Sequence, residues 1–199
     1  MTYIILGILL LAGLAFYLVG CKSKNNTNNK QTTSKEGTTR PKIYHTKTNT
    51  FKDLREMAFA VTPEQLQLIL PSDKTVVYGV IMDWGIDTAT ATVASYQTGD
   101  ASMYLSSGGG VIGGGQHPNV SDASKHFVSL AQSYLDKTAK SESKALPIQN
   151  EVKFYLLTNK GIFVGQEVMK NFDNNTSTWL PLFEEANKVI TELRLTTEQ

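Results

Sequence analysis

The middle of the chain reads TVVYGVIMD at residues 75–83, TATVASY at residues 90–96 and SMYL at residues 102–105. The first run is rich in Val, Ile and Tyr with few polar interruptions, which predicts a central strand. The second run alternates apolar and polar residues, which predicts a strand with one face toward water. The turn sequence Thr98-Gly99-Asp100 separates the second run from the third, so we expect these strands to pair as antiparallel neighbours.

Two more strands are predicted toward the C-terminus, at residues 152–158 and 161–168. They are joined through Asn159-Lys160-Gly161, which is typical of a tight hairpin. The chain therefore predicts about five strands, and their connections favour a mostly antiparallel sheet with flanking helices, which is an α+β domain. Small profilin-like and roadblock-like domains have a comparable mix of five strands and helices, and this likeness is one of architecture alone.

Helices are predicted around this sheet from apolar residues spaced three and four positions apart. One of them has a clear beginning, because Thr62 and Gln65 fit a capping box and Pro63 suits the first helical position. Pro71 is expected to end the same helix, because the residue before a proline disfavours helical geometry. The predicted helices span residues 51–61, 62–70, 121–138 and 179–193.

Charge is distributed unevenly, although the formal net charge is only +1. Residues 22–49 carry seven Lys or Arg and one acid, whereas the chain from residue 50 on has twelve basic and seventeen acidic residues. The first segment consists mostly of Lys, Asn, Thr, Gln and Ser, so we predict a disordered basic linker. Aromatic residues are not interleaved with its charges, so nucleic acid is not an expected partner. Residues 50–199 are predicted to form one globular domain.

The N-terminus is apolar and uncharged. Residues 4–20 are mostly Ile, Leu, Ala, Gly, Phe and Val. With Thr2 and Tyr3 the run spans about 19 residues, or about 28 Å of helix, close to the roughly 30 Å hydrocarbon core of a bilayer. We therefore predict a membrane anchor or a lipoprotein signal at residues 1–21, in contact with membrane lipid.

Two interpretations of this N-terminal segment are open. In the favoured one it is an uncleaved, single-pass helix. Lys22 and Lys24 follow the apolar run, so the positive-inside rule places the domain in the cytoplasm. In the other, Leu18-Val19-Gly20-Cys21 resembles the bacterial lipobox, which implies that Cys21 is acylated and that the domain faces the periplasm or the exterior. Cys21 is the only cysteine of the chain.

The most unusual segment is SSGGGVIGGGQHP at residues 106–118. Three interpretations of this segment are open. Its glycines serve close packing and sharp turns, its exposed N–H groups hold an anion, or Val111 and Ile112 are exposed at the tip as a partner surface. The spacing G-x-G-x-x-G occurs at Gly108, Gly110 and Gly113. A dinucleotide site is not favoured, because the predicted helix begins about eight residues after Gly113 and the preceding strands are predicted to be antiparallel.

The remaining candidate residues are His117, beside this loop, and Asp83 with Trp84, at the end of the first strand. Asp83 and Trp84 form either a polar pocket or a simple turn with a solvated carboxylate and a partly buried Trp. A serine next to His117 lacks the G-x-S-x-G elbow of hydrolases. The three His and one Cys lack metal-ligand spacing. We therefore predict no catalytic residue, no cofactor and no metal.

Together these features predict a membrane-tethered, non-enzymatic domain. Its sheet and its Gly-rich loop are expected to bind another protein or a second copy of the chain. The alternative is a small-ligand or anion-binding module that uses residues 108–115 and His117.

Overall fold

The computed structural model describes residues 50–197. The predicted membrane segment with Cys21 and the predicted linker at residues 22–49 lie outside the described residues. Between residues 50 and 197, no helix is both long enough and apolar enough to span a bilayer.

One antiparallel sheet forms the centre of the domain. Its strands are β1 (Val77–Ile86), β2 (Ala89–Tyr96), β3 (Ala101–Leu105), β4 (Gly110–Val111), β5 (Ala139–Lys140), β6 (Glu151–Thr158) and β7 (Gly161–Val168). They lie in the order β4-β3-β2-β1-β6-β7-β5, and all neighbours are antiparallel. The predicted α+β architecture is confirmed. The structure adds two edge strands, β4 and β5, which are too short to show an alternating sequence pattern.

The helices are α1 (Phe51–Ala60), α2 (Pro118–Ala131), α3 (Met169–Asp173) and α4 (Leu180–Leu195). Thr50 and Asp53 form a capping box that begins α1. The predicted helix at residues 62–70 is wrong. Thr62 and Gln65 do make the expected capping hydrogen bonds, but Gln67 has a φ of 57°, so the helical geometry ends after one turn.

The sheet face under α2 and α4 is apolar and aromatic. Trp84 of β1 meets Phe183 of α4 edge to face, with ring centroids 5.3 Å apart. Phe154 of β6 stacks on Trp179, also at 5.3 Å. Gly165 of β7 makes room for this tryptophan, because a Cβ there would lie 2.2 Å from the indole ring.

The opposite face lies under α1 and the segment that follows it. Two tyrosine hydroxyls of the sheet donate to carbonyl oxygens at the C-terminal end of α1. Tyr96 bonds the carbonyl of Ala58 at 2.8 Å, and Tyr78 bonds that of Val61 at 2.9 Å. The last carbonyls of a helix have no partner within the helix. These bonds therefore fix the end of α1 on the sheet.

Candidate functional site

Asp83 is fully buried in an ion pair with Arg55 of α1. The Arg55 Nε donates to both carboxylate oxygens, at 3.2 and 3.0 Å, and Nη2 donates to one of them. The hydroxyl of Thr92 on β2 donates to the other. The guanidinium also lies over the ring of Phe59, 4.7 Å from its centroid. The expectation of a solvated carboxylate at this position is wrong.

The structure does not bring Asp83 and Trp84 together. Consecutive strand residues point to opposite faces of a sheet. Asp83 therefore faces α1, whereas Trp84 faces α4 and is 3 % exposed. Both oxygens of Asp83 are engaged by Arg55 and Thr92, which leaves the carboxylate no free position for a substrate proton. The arrangement fixes α1 to the central strand.

The sequence analysis did not identify Arg55, although a signal was present. Arg55 lies four residues from both Phe51 and Phe59, so it occupies the apolar stripe of α1. Asp83 similarly interrupts an apolar strand. Two opposite charges that each stand on an apolar face indicate a buried pair. Their pairing across 28 residues, however, depends on how α1 crosses the sheet.

The Gly-rich loop contains the hairpin between β3 and β4. The N–H of Leu105 donates to the carbonyl of Gly109 at 3.1 Å, which closes the turn. Gly108 and Gly109 have φ values of 109° and 85°, a region that glycine enters without a steric penalty. Gly110 then begins β4 opposite Tyr104. The glycines at 108 and 109 thus serve the chain reversal.

Two further glycines of the loop serve close packing. A Cβ on Gly110 would lie 2.3 Å from the carbonyl oxygen of Met103. A Cβ on Gly114 would lie 2.4 Å from a methyl group of Leu193 on α4. Distances this short do not occur for real side chains. A side chain at Gly110 would meet fixed backbone, whereas one at Gly114 would require the Leu193 side chain to move. By contrast, Gly113 has open space around its Cβ position.

The expected exposed apolar tip is wrong. Val111 is only 5 % exposed, and Ile112 packs against the core beneath α1. The exposed residues of the segment 106–118 are residues 106–108, Gly113, Gln116 and Pro118. His117 is half-buried at the N-cap of α2, and its side chain makes no capping hydrogen bond.

The backbone of β4 forms the outermost row on its side of the sheet. Because Leu105 and Gly109 form a hydrogen-bonded pair, the next pair along the hairpin is non-bonded in antiparallel geometry. The N–H and C=O groups of Gly110, and those of Ile112 two residues on, therefore point away from the sheet. Among the hydrogen bonds of residues 50–197 that lie outside the regular helices and strands, none reaches these groups. Residues 104–116 contain no charged side chain. We call this row the β4 edge.

The other side of the sheet ends on β7 and β5 and is charged. Lys140 of β5 is exposed. The Glu167 carboxylate accepts hydrogen bonds from the N–H of Val168 at 2.9 Å and from the side chains of Asn171 and Ser177. Burial by itself raises the pKa of Glu167, but these hydrogen bonds outweigh it and hold the pKa below its ordinary value. We call this side the β7 edge.

These features define an α+β domain whose antiparallel sheet has one uncharged and one charged edge. No group of three His, Cys, Asp or Glu side chains in residues 50–197 is placed to hold a metal ion. No family model matches the chain, and neither the curated proteins nor the solved structures contain a significantly similar one.

Proposed function

We propose that this chain is a membrane-tethered, non-enzymatic domain that self-associates by pairing the β4 edges of two copies. The observation that carries the proposal is the outward row of backbone groups at Gly110 and Ile112. Natural proteins protect sheet edges with charges, prolines or bulges, because a bare edge pairs with other strands. The β7 edge has such protection from Lys140 and Glu167, and the β4 edge has no charge.

The β4 edge is complementary to itself. In an antiparallel pair with a two-fold axis at Val111, Gly110 of one copy lies opposite Ile112 of the other. Each residue then donates its N–H to the opposite carbonyl and accepts in return. The same edge on both copies brings no like charges together, because residues 104–116 are uncharged. Gly110 also presents no side chain that would hold the strands apart.

The predicted membrane tether compensates for the small area of this contact by keeping the copies close together. Two short strands bury far less than the roughly 1,200–2,000 Å² of a stable interface, so the pair is weak between free molecules. Attachment to one membrane raises the effective concentration of the copies. A flexible linker of about 28 residues spans roughly 30 Å on average, which lets two domains turn their edges toward each other. Either a transmembrane helix or an acylated Cys21 would provide this membrane attachment.

The proposal is tested by Ile112→Pro, with Ile112→Ala as the matched control. Both variants lose the Ile side chain, but only proline also loses the outward N–H, which bonds nothing within residues 50–197. We expect Förster transfer between differently labelled full-length chains in liposomes to be lost in Ile112→Pro and kept in Ile112→Ala. Thermal unfolding of each variant checks that the fold is retained.

A second substitution, Ile112→Lys, places a like charge on both edges and should weaken the transfer even if proline disturbs the strand. Equal transfer in the wild type, Ile112→Pro and Ile112→Lys would overturn self-association through β4. Wild-type chains that show no transfer, but whose β4 amides shift when a different membrane protein is added, would assign the edge to that protein instead.

The alternative of an anion at residues 108–115 has one specific feature in its favour. Gly113 is exposed, has a φ of 75° and leaves open space beside the loop. A bound phosphate should then shift the ring signals of His117 in nuclear magnetic resonance spectra of the full-length chain. Unchanged ring signals at saturating phosphate would contradict this alternative.

A further inference from the structure

A half-open groove lies away from the β4 edge, where the chain enters β1 beside α2. Its volume is about 580 Å³. It is lined by Lys74, Thr75, Val76, Val77, Gln97, Lys125, Val128, Ser129 and Gln132. The set combines two ammonium groups with hydroxyls, amides and three valines, and it includes no carboxylate.

The walls of the groove are held by hydrogen bonds. The Gln132 side chain accepts from the N–H of Val77 at 2.8 Å and donates to the carbonyl of Thr75 at 3.3 Å. The carbonyl of Lys74 accepts from the Asn159 side chain at 3.0 Å. The start of β1 is therefore fixed both to α2 and to the hairpin between β6 and β7. These hydrogen bonds fix the backbone of residues 74–77, which forms one wall of the groove.

Its charge contrasts with that of the domain around it. From residue 50 on, the chain has seventeen acidic and twelve basic residues, yet both charged groups of the groove are lysines. Within residues 50–197 neither Lys74 nor Lys125 forms an ion pair. Two nearby ammonium groups without a carboxylate attract an anion more strongly than either does alone.

The other lining residues indicate what kind of anion fits. Of the three valines, Val77 and Val128 are almost fully buried, whereas Val76 is half-buried and borders the groove. An apolar group therefore gains by covering the exposed part of Val76. Ser129 and the amide of Gln97 add neutral hydrogen-bonding groups beside the charges. We infer that this groove binds a small organic anion whose charged group meets the two lysines and whose short apolar body covers the exposed part of Val76.

Butyrate is a suitable probe, because it has a carboxylate and a short apolar tail. Titration into the isotope-labelled full-length chain in nanodiscs should give saturable amide shifts at Gln97, Ser129 and Gln132. Acetate has the same charge without the tail, and we expect it to bind roughly tenfold more weakly, since each buried methylene favours binding. The charged group is tested separately, with Lys125→Gln.

Lys125→Gln should weaken butyrate binding at least several-fold, and the double variant with Lys74→Gln should abolish it. Lys170→Gln removes an exposed lysine outside the groove and should leave the affinity unchanged. Both groove lysines are exposed and unpaired, so the fold should survive these changes. The inference is wrong if no saturable shift occurs, if acetate binds as tightly as butyrate, or if Lys125→Gln and Lys170→Gln behave alike.

Discussion

The two edges of the sheet differ in the hydrogen bonding of their backbone groups and in the charged side chains beside them. At the β4 edge the N–H and C=O groups of Gly110 and Ile112 point outward. No hydrogen bond outside the regular helices and strands of residues 50–197 reaches them, and residues 104–116 contain no charged side chain. At the β7 edge the N–H of Val168 is bonded by the Glu167 carboxylate, and the exposed Lys140 stands on the neighbouring strand. One edge is closed to a further strand, and the other is open.

This difference is the basis of the proposed pairing through the open edge. A sheet edge without protection is a risk of aggregation, so it persists where pairing has a purpose. The glycines that build the β4 edge also make it costly to protect, because Gly110 and Gly114 have no room for a side chain. The packing of β3 and α4 thus keeps side chains off Gly110 and Gly114. In the proposed pair, the contacts are therefore made by backbone amides.

The largest effect is expected from a change that should disturb both edges together. Asp83→Ala removes one partner of the buried pair and leaves the Arg55 guanidinium without a counter-charge under α1. Such a loss costs about 3–5 kcal/mol of unfolding free energy. Because Asp83 lies on the central strand, we expect faster amide exchange at β4 and β7 alike. Urea unfolding and hydrogen exchange of the full-length chain measure both effects.

The matched control replaces both charges, as Arg55→Met with Asp83→Leu. Replacing a buried pair by apolar residues of similar volume is far less costly than breaking it. We therefore expect the double variant to be more stable than Asp83→Ala. A single variant that loses less than about 1 kcal/mol would contradict a buried, charged pair.

A smaller effect is expected from Gly110→Ala, which should disturb only one edge. The new Cβ meets the Met103 carbonyl oxygen at 2.3 Å, and backbone cannot move aside as a flexible side chain can. The expected cost is about 1–3 kcal/mol, with faster amide exchange in β3 and β4 and unchanged exchange in β7. Self-association in liposomes should fall as well.

Gly113→Asn is the control for this change. Its φ of 75° suits asparagine among the non-glycine residues, and the Cβ position is open. We expect stability within about 0.5 kcal/mol of the wild type. Equal stability of Gly110→Ala and Gly113→Asn would show that β4 tolerates a side chain at position 110. Close packing would then not explain the glycine there.

The fold was predictable where the signal is local. Alternation and turn residues predicted the long strands, but the expectation that one face of β2 meets water is wrong, because its residues are buried on both faces. The capping residues Thr62 and Gln65 form the hydrogen bonds that their types indicate. The helix predicted after them fails, because the backbone turns to positive φ at Gln67. That turn directs the following leucines onto the core beneath α1. This packing against the core is a tertiary contact, so the local sequence pattern of residues 62–70 could not predict the turn at Gln67.

The candidate site was predictable only in part. The glycines marked a special segment, but residue type alone does not distinguish a mobile tip from an edge strand. The burial of Val111 follows from its pairing with Met103, and the close packing at Gly114 follows from Leu193 on α4. Both contacts join distant parts of the chain. The open β4 edge appears only once these contacts place the segment beside β3.

The smallest expected effect concerns the protection of the β7 edge by Glu167. The hydrogen bonds from Val168, Asn171 and Ser177 lower its pKa in the folded chain. A carboxyl with a lowered folded pKa stabilises the fold fully above its unfolded pKa of about 4.3, and the contribution is lost as the pH falls through the folded pKa. We therefore expect protection of the Val168 amide to fall in acid.

Glu167→Gln isolates this contribution, because glutamine keeps one acceptor oxygen but does not titrate. The protection factor of the Val168 amide, corrected for the intrinsic exchange rate, should fall between pH 7 and pH 3 in the wild type. In Glu167→Gln it should change less over the same range. The β4 edge has no carboxylate, so its amides should not follow this titration in either chain. If the Val168 and Gly110 amides respond to acid alike, the charge on Glu167 does not distinguish the two edges.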